Sequence, residues 1–231
     1  MNIIEFLKSE FTGFSRYEKI IFPLVIAAVC AVSLLAKNSI TSLIAAVCGI
    51  SYTILAGKGR VSCYAAGISG TVCYAYLAFI NGFFGNFLLY ACYYLPMEII
   101  GIFQWSRHLK KQSNEIKKTR LSLKERFIYS AAAVILSCVL AAVFYLTGGK
   151  TPVLDAFSAG LSVLGLLLTV KRCIEQWHVW FIVNVITLLM WINAYIKGAN
   201  CLPIVFMWFV YVILAVYFYS SWKKDMQTES V

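Results

Sequence analysis

The stretch QWHVWFIVNVITLLMWINAYI, residues 176–196, decides the fold class of this chain. Its 21 residues include no Asp, Glu, Lys or Arg, and about 20 predominantly apolar residues are enough for a helix to cross the hydrocarbon core of a bilayer. In a membrane, lipid replaces water around the outer faces of such a helix, so no polar side is needed. The stretch therefore predicts a transmembrane helix.

The composition of the whole chain points the same way. Of its 231 residues, 61% are hydrophobic and 13% are charged, whereas a soluble domain has about 45–50% apolar and about 25% charged residues. A soluble protein of this size could not bury so much apolar surface in one core. We therefore predict an all-α integral membrane protein.

Seven further apolar stretches are long enough to span a bilayer, some of them marginally. Together with the first they are residues 20–36, 40–56, 61–81, 86–106, 127–147, 153–170, 176–196 and 201–222. Short segments with turn residues such as Gly and Asn join most of them. The exception is the polar segment 107–126, so the sequence predicts about eight transmembrane helices and one long basic loop.

The basic residues predict the orientation in the membrane. The net charge of +10 lies almost wholly between the apolar stretches, which is the positive-inside pattern rather than a sign of nucleic-acid binding. With residues 107–126 in the cytoplasm, 17 of the 20 Lys and Arg residues fall inside, and only Lys37, Lys150 and Lys197 fall outside. We therefore predict that both termini, including a tail of residues 223–231, are cytoplasmic.

Two blocks of three predicted helices, residues 40–106 and 153–222, resemble each other. Both end in aromatic, Ser and basic residues, and a single linker helix, residues 127–147, separates them. The shift between blocks is thus an even number of helices, which predicts a parallel 3+1+3 repeat with a substrate site at the block interface near the midplane. The helix within residues 1–39 stands outside this repeat as an accessory helix.

One side of the helix at 176–196 carries most of its polar and aromatic residues. An aromatic belt at the membrane interface explains Trp177 at one end of this stripe. It does not explain Asn184, which lies near mid-bilayer and needs hydrogen-bond partners. For Trp180 and Asn184 we favour ligand contact over helix packing, the alternative that stays open. The stripe, about 80° wide at 100° per residue, consists of Trp177, Trp180, Asn184, Thr187, Trp191 and Tyr195. The equivalent helix of the first block carries Tyr64, Gly67, Thr71 and Tyr74 at matching positions.

A second stripe in the helix at 86–106 contains a carboxylate, Glu98. A carboxylate inside the membrane is expensive and is a functional hypothesis by default; the alternative is that it is protonated or bonded to a neighbouring helix. Tyr94 lies on this stripe and Gln104 at its edge, while Trp208 and Tyr211 of the last helix lie deep enough to line a path. An aromatic cavity with one carboxylate suits a flat, cationic ligand.

Two of these stretches resemble the PnuC family of bacterial vitamin transporters. EQWHVWFIVNV, residues 175–185, fits the family's W-x-x-W-x-x-x-N stretch, and GIFQWSR, residues 101–107, fits its G-x-x-x-W-[SK]-[RK] helix end. With the 3+1+3 arrangement, the resemblance covers residues 40–222. Trp177, Trp180 and Asn184 match the family's binding stretch position by position.

The resemblance implies facilitated uptake of nicotinamide riboside across the bacterial inner membrane, drawn forward by phosphorylation of the vitamin for NAD biosynthesis. It also implies a SWEET-like fold and a homotrimer. Relatives that carry thiamine or riboflavin leave the substrate open. Glu98, where some nicotinamide riboside carriers have Asn, and the first helix, which is additional to a seven-helix core, depart from the family pattern.

Three functional classes are compatible with a chain of this composition. A passive vitamin transporter is favoured, because there is no Walker motif for ATP hydrolysis and no clustered His, Asp or Glu for a membrane enzyme. A membrane subunit of a larger vitamin importer is the third class. The eight Cys residues form no CxxC pair and predict buried free thiols, with no metal or cofactor site.

In the predicted mechanism, two three-helix bundles rock around a central aromatic site. Trp180 stacks on the heterocycle, Asn184 and Gln104 hydrogen-bond an amide or ribose hydroxyl, and Glu98 offsets positive charge. The full set of predicted substrate contacts is Trp177, Trp180, Asn184, Gln104, Glu98, Tyr94, Thr187, Trp208 and Tyr211.

Overall fold

The computed structural model describes residues 10, 12–36, 39–80, 84–110, 115–148, 151–198 and 202–228. This part of the chain contains eight helices that are long and apolar enough to cross a membrane, and it contains no β-strand. They are α1 (Glu18–Leu35), α2 (Ile40–Gly57), α3 (Cys63–Ile80), α4 (Phe84–Leu89, the π-helical turn Tyr90–Tyr94, and Leu95–Ser106), α5 (Leu123–Leu146), α6 (Pro152–Val170), α7 (Gln176–Ile196) and α8 (Leu202–Thr228). The all-α fold with about eight spans is confirmed.

Two helices extend beyond their predicted bounds for identifiable reasons. Helix α5 starts at Leu123 rather than at residue 127, because Ser122 and Glu125 form a capping box. The backbone N–H of Ser122 donates to the Glu125 carboxylate over 2.9 Å, and the backbone N–H of Glu125 donates to the Ser122 hydroxyl over 3.3 Å. Helix α8 continues beyond Trp222 to Thr228, and Lys118 forms an ion pair with Asp225 on this extension.

The helices form two compact units, Met1–Lys117 and Lys118–Val231, called here the first and the second unit. In the first unit, α1 packs on α2, α2 on α3 and α3 on α4. In the second unit, α5 packs on α6, α6 on α7 and α7 on α8. The predicted accessory and linker helices thus pack on the first helix of the three-helix block that follows each of them.

The turn between α2 and α3 is built like the turn between α6 and α7. Each helix is closed by a residue with positive φ, Gly59 at 65° and Arg172 at 62°, the left-handed conformation that commonly ends a helix. The following N–H groups donate to matching carbonyls: Arg60 to Leu55 and Cys173 to Leu168, both over 2.9 Å. The two units therefore align with residue 59 on residue 172.

Part of the basic loop is hydrogen-bonded to these turns. In the first unit, Ile116 is fully buried and its N–H donates to the carbonyl of Gly59 over 3.0 Å. In the second unit, the N–H of Thr119 donates to the carbonyl of Arg172 over 2.9 Å. Backbone pairing thus fixes Ile116 and Thr119 of the loop to the helix ends, and the apolar side chain of Ile116 is buried there.

Candidate functional site

Trp180 of α7 is held by two residues of α6. A Cβ atom at Gly165 would lie 3.0 Å from the Cε2 atom of the Trp180 ring, so the missing side chain at Gly165 lets the indole lie against the α6 backbone. The indole Nε1–H donates to Thr169 Oγ1 over 3.1 Å. Thr169 itself is buried. One residue thus provides the space and another, one turn later, fixes the direction of the ring.

Asn184 lies one turn beyond Trp180 on the same helix and is buried. Its Nδ2 donates to the backbone carbonyl of Tyr211 in α8 over 3.1 Å. An amide side chain offers two N–H donors and a carbonyl acceptor, and this bond uses one donor. Next to Tyr211, the ring of Trp208 lies 5.5 Å from the Tyr211 ring between centroids. The second unit thus brings an indole, an amide and two further aromatic rings onto α7 and α8.

The two remaining predicted contacts on α7 have protein partners. Thr187 Oγ1 donates to the carbonyl of Val183 over 2.9 Å and lies 3.2 Å from Ser158 Oγ. The Trp177 ring is 5.3 Å from the Phe218 ring and 5.8 Å from the Trp222 ring, and only 3% of the residue is exposed. Helix packing accounts for these contacts, and a ligand role for Trp177 and Thr187 stays a prediction.

Glu98 is the centre of a polar cluster in the first unit. Its Oε1 accepts a hydrogen bond from Thr71 Oγ1 over 3.0 Å. A Cβ atom at Gly67 would lie 2.9 Å from this Oε1 and 2.8 Å from Cδ2 of Tyr52. The absent side chain of Gly67 therefore leaves room for the Glu98 carboxylate and the Tyr52 ring on the same part of α3.

The other oxygen of Glu98 is unpaired. Glu98 is 3% exposed, and its Oε2 atom is buried without a hydrogen-bond partner among the described residues. A buried polar atom in this state carries a desolvation cost of about 1–3 kcal/mol, and more if the group is charged. The carboxyl group of Glu98, in the membrane-spanning part of α4, therefore has one oxygen atom without a hydrogen-bond partner among the described residues.

The π-helical turn Tyr90–Tyr94 comes just before Glu98. Pro96 has no N–H and its ring would meet the carbonyl of residue 92 in a regular helix, so a widened turn at this place is expected. The Tyr90 ring stacks on Tyr74 of α3 at 5.5 Å and 19°, and lies 5.2 Å from the Tyr94 ring. Tyr94 thus belongs to a tyrosine cluster one turn from Glu98. Gln104, farther along α4, lies on the exposed face of this helix.

Three residues of these clusters were not predicted from the sequence: Tyr52, Gly165 and Thr169. For Tyr52 and Gly165 a regularity appears once the structure aligns the two turns. When Gly59 is aligned with Arg172, Tyr52 aligns with Gly165 and Gly67 aligns with Trp180. An aromatic residue faces a glycine in both units, with the two exchanged between the helices.

Residues 39–224 match the sequence model of a family described as nicotinamide mononucleotide transporter. The chain belongs to this family. The resemblance inferred from the two motifs is confirmed, and the chain is a multi-pass membrane transporter.

Named relatives cover nearly all of the chain. It is 26% identical to a nicotinamide riboside transporter PnuC of Neisseria mucosa, and the match covers all of this chain and 89% of that relative. It is 25% identical to a nicotinamide riboside transporter PnuC of Haemophilus influenzae, with 97% of both chains covered.

A crystal structure of the vitamin B3 transporter PnuC has the same fold. Its sequence is 27% identical to this chain, the TM-score is 0.83, and the match covers 97% of both chains. The family model begins at residue 39, after α1, and the first helix as an addition to the family's core stays a prediction.

Proposed function

We propose that this chain carries nicotinamide riboside across the bacterial cytoplasmic membrane by facilitated diffusion. The chain belongs to a transporter family, and two relatives are named as nicotinamide riboside transporters. The observation that carries the proposal is the fixed indole of Trp180 one turn from the amide of Asn184. A flat pyridinium ring can stack on the indole, and an amide can hydrogen-bond the carboxamide or the ribose.

The charge of the helix interiors favours the riboside over the mononucleotide that the family description names. Among the described residues of the eight helices, Lys and Arg occur only near helix ends, at Lys19, Lys124, Arg126, Lys223 and Lys224. A phosphate group is recognised by Arg, Lys or several N–H donors. The interior instead offers the carboxyl group of Glu98, which as a carboxylate attracts the pyridinium and which gives a phosphate no positive partner.

The same proposal includes the oligomeric state, the transport movement and the orientation of the termini. The substrate crosses by rocking of the two three-helix blocks, the transporter is a homotrimer, and both termini are cytoplasmic. These statements rest on the family resemblance and on the distribution of Lys and Arg. The chain transports a vitamin and catalyses no reaction on it.

The proposed function is tested with the purified chain in liposomes. We expect uptake of labelled nicotinamide riboside down its gradient without ATP, and competition by unlabelled riboside at much lower concentration than by nicotinamide mononucleotide or thiamine. Liposomes without protein are the control. Equal competition by the mononucleotide would contradict the preference for the riboside that we infer from charge. Uptake of thiamine alone would contradict the assignment of nicotinamide riboside as the substrate.

A further inference from the structure

Glu98 is an ionisable group with no ion-pair partner among the described residues of the first unit. Its Oε1 is bonded to Thr71 and its Oε2 has no hydrogen-bond partner among the described residues. The titratable side chains around it are Tyr52 of α2 and Cys63 and Tyr64 of α3. Tyr and Cys side chains carry no basic group, so none of them supplies a positive charge.

The basic residues next to the facing ends of α2 and α3 are engaged elsewhere, and Arg107, which follows the end of α4, is exposed. Lys58 lies 3.1 Å from the Glu18 carboxylate. Arg60 bonds the carbonyl of Thr12, and it lies 3.7 Å from the Glu115 carboxylate. Burying a carboxylate without a positive partner costs several kcal/mol, and such a group takes up a proton instead. In the empty transporter Glu98 is therefore best accounted for as a neutral carboxylic acid.

The second unit shows that the fold does not require a carboxyl group at this place. The Tyr64–Trp105 contact of the first unit corresponds to the Trp177–Trp222 contact of the second, and both are edge-to-face. Counting back seven residues from Trp105 and from Trp222 pairs Glu98 with Ala215, which is fully packed at 2% exposure. An apolar residue fills the equivalent position, so helix packing alone does not account for Glu98.

We propose that Glu98 holds a proton in the empty transporter and gives it up when a ligand with a fixed positive charge binds. The inference rests on the proposed function. The O–H bond of the carboxylic acid breaks, the proton leaves to solvent, and the carboxylate pairs with the pyridinium of the ligand. One positive charge replaces another, so the total charge of the occupied site equals that of the empty one.

This exchange gives the transporter a preference for cations and a pH dependence with a defined sign. At low pH the proton competes with the ligand for Glu98, so a cationic ligand binds weakly. Affinity rises with pH, by at most about tenfold per pH unit for one proton, and levels off when Glu98 is already ionised in the empty protein. A neutral ligand of the same shape gains nothing from the proton's departure and shows no such rise.

The experiment is isothermal titration of the purified full chain with nicotinamide riboside in phosphate and in Tris buffer at one pH. These buffers differ in ionisation heat, so the difference in apparent enthalpy reports the protons released. We expect a net release approaching one proton for the wild type and no release for Glu98→Gln. Benzamide riboside, a neutral ligand of similar shape, should release none from either protein, and Asp155→Asn should release as the wild type does.

The outcomes separate this inference from the proposed function. Tight binding of nicotinamide riboside by the wild type without proton release, or equal release by Glu98→Gln, would overturn the exchange and leave the transporter proposal intact. Absence of riboside binding would reject the proposed function and the exchange with it. Should Glu98→Gln fail to fold, the pH dependence of wild-type affinity decides, because a pH-independent affinity for the riboside also overturns the exchange.

Discussion

The two units share their ends and differ in their middles. At the end of each block a ring at the start of one helix meets a tryptophan near the end of another, Tyr64 with Trp105 at 5.1 Å and 81°, Trp177 with Trp222 at 5.8 Å and 79°. In the middle, the first unit places an aromatic ring on its earlier helix, against a glycine of the later one. The second unit does the reverse, with glycine on α6 and tryptophan on α7.

This difference separates residues that hold the helices together from residues available for a ligand. The end contacts are repeated because both blocks need the same closure between helices. The middles differ in chemistry: the first unit has a carboxyl group with one vacant oxygen, and the second has an indole and an amide with defined hydrogen bonds. We infer that the repeated contacts serve packing, and we propose the differing middles as the candidate site.

Gly101→Ala should give the largest loss of stability, because it disturbs a shared end. A Cβ atom at this position would collide with the ring of Tyr64, which is fully buried. Overpacking of this kind costs about 1–3 kcal/mol, and we expect a lowered thermal midpoint of the detergent-purified protein. Ile100→Ala, at an exposed neighbour, is the matched control. An unchanged midpoint for Gly101→Ala would show that this end is not structural.

Trp180→Ala should give the largest loss of affinity, because it removes the ring of the second unit's middle. Stacking of a flat heterocycle on an aromatic side chain contributes about 1–3 kcal/mol, which is about a five- to 150-fold change in Kd. Titration with nicotinamide riboside measures it, and Phe181→Ala, an exposed aromatic residue on the same helix, is the control. Equal losses in the two variants would mean that Trp180 is a packing residue.

The sequence predicts the parts of this molecule that depend on local pattern. The apolar length of the spans is set by the bilayer, and the three- and four-residue spacing on α7 is set by the helix period. Ser122 and Glu125 form a Ser-x-x-Glu signature that also marks the start of α5 in the sequence. The anchoring of Trp180 was not readable, because Thr169 and Gly165 lie on another helix and only the fold brings them to the ring.

Asn184→Ala tests the amide of the second unit and should weaken riboside binding by about two- to tenfold. The change removes a hydrogen-bonding group worth about 0.5–1.5 kcal/mol, and it also leaves the carbonyl of Tyr211 without this donor. Asn193→Ala, an exposed asparagine on the same helix, should bind as the wild type does. If Asn184→Ala lowers the thermal midpoint and leaves Kd unchanged, the amide serves helix packing alone.

Thr169→Val should have the smallest effect, and it sharpens the comparison most. The substitution keeps the shape of the side chain and removes the acceptor for the Trp180 indole N–H, so the ring loses its fixed direction. A neutral hydrogen bond is worth about 0.5–1.5 kcal/mol, and we expect riboside affinity to fall by about threefold. Thr169 acts through Trp180, so the measurement is a double-mutant cycle with Trp180→Phe. In the Trp180→Phe background there is no indole N–H to hold, and Thr169→Val should then change affinity little further. A threefold loss that persists in that background would place Thr169 outside the positioning of the ring. A loss that disappears there would tie the middle of the second unit to one hydrogen bond that the first unit, with Ala56 at the equivalent position of α2, cannot make.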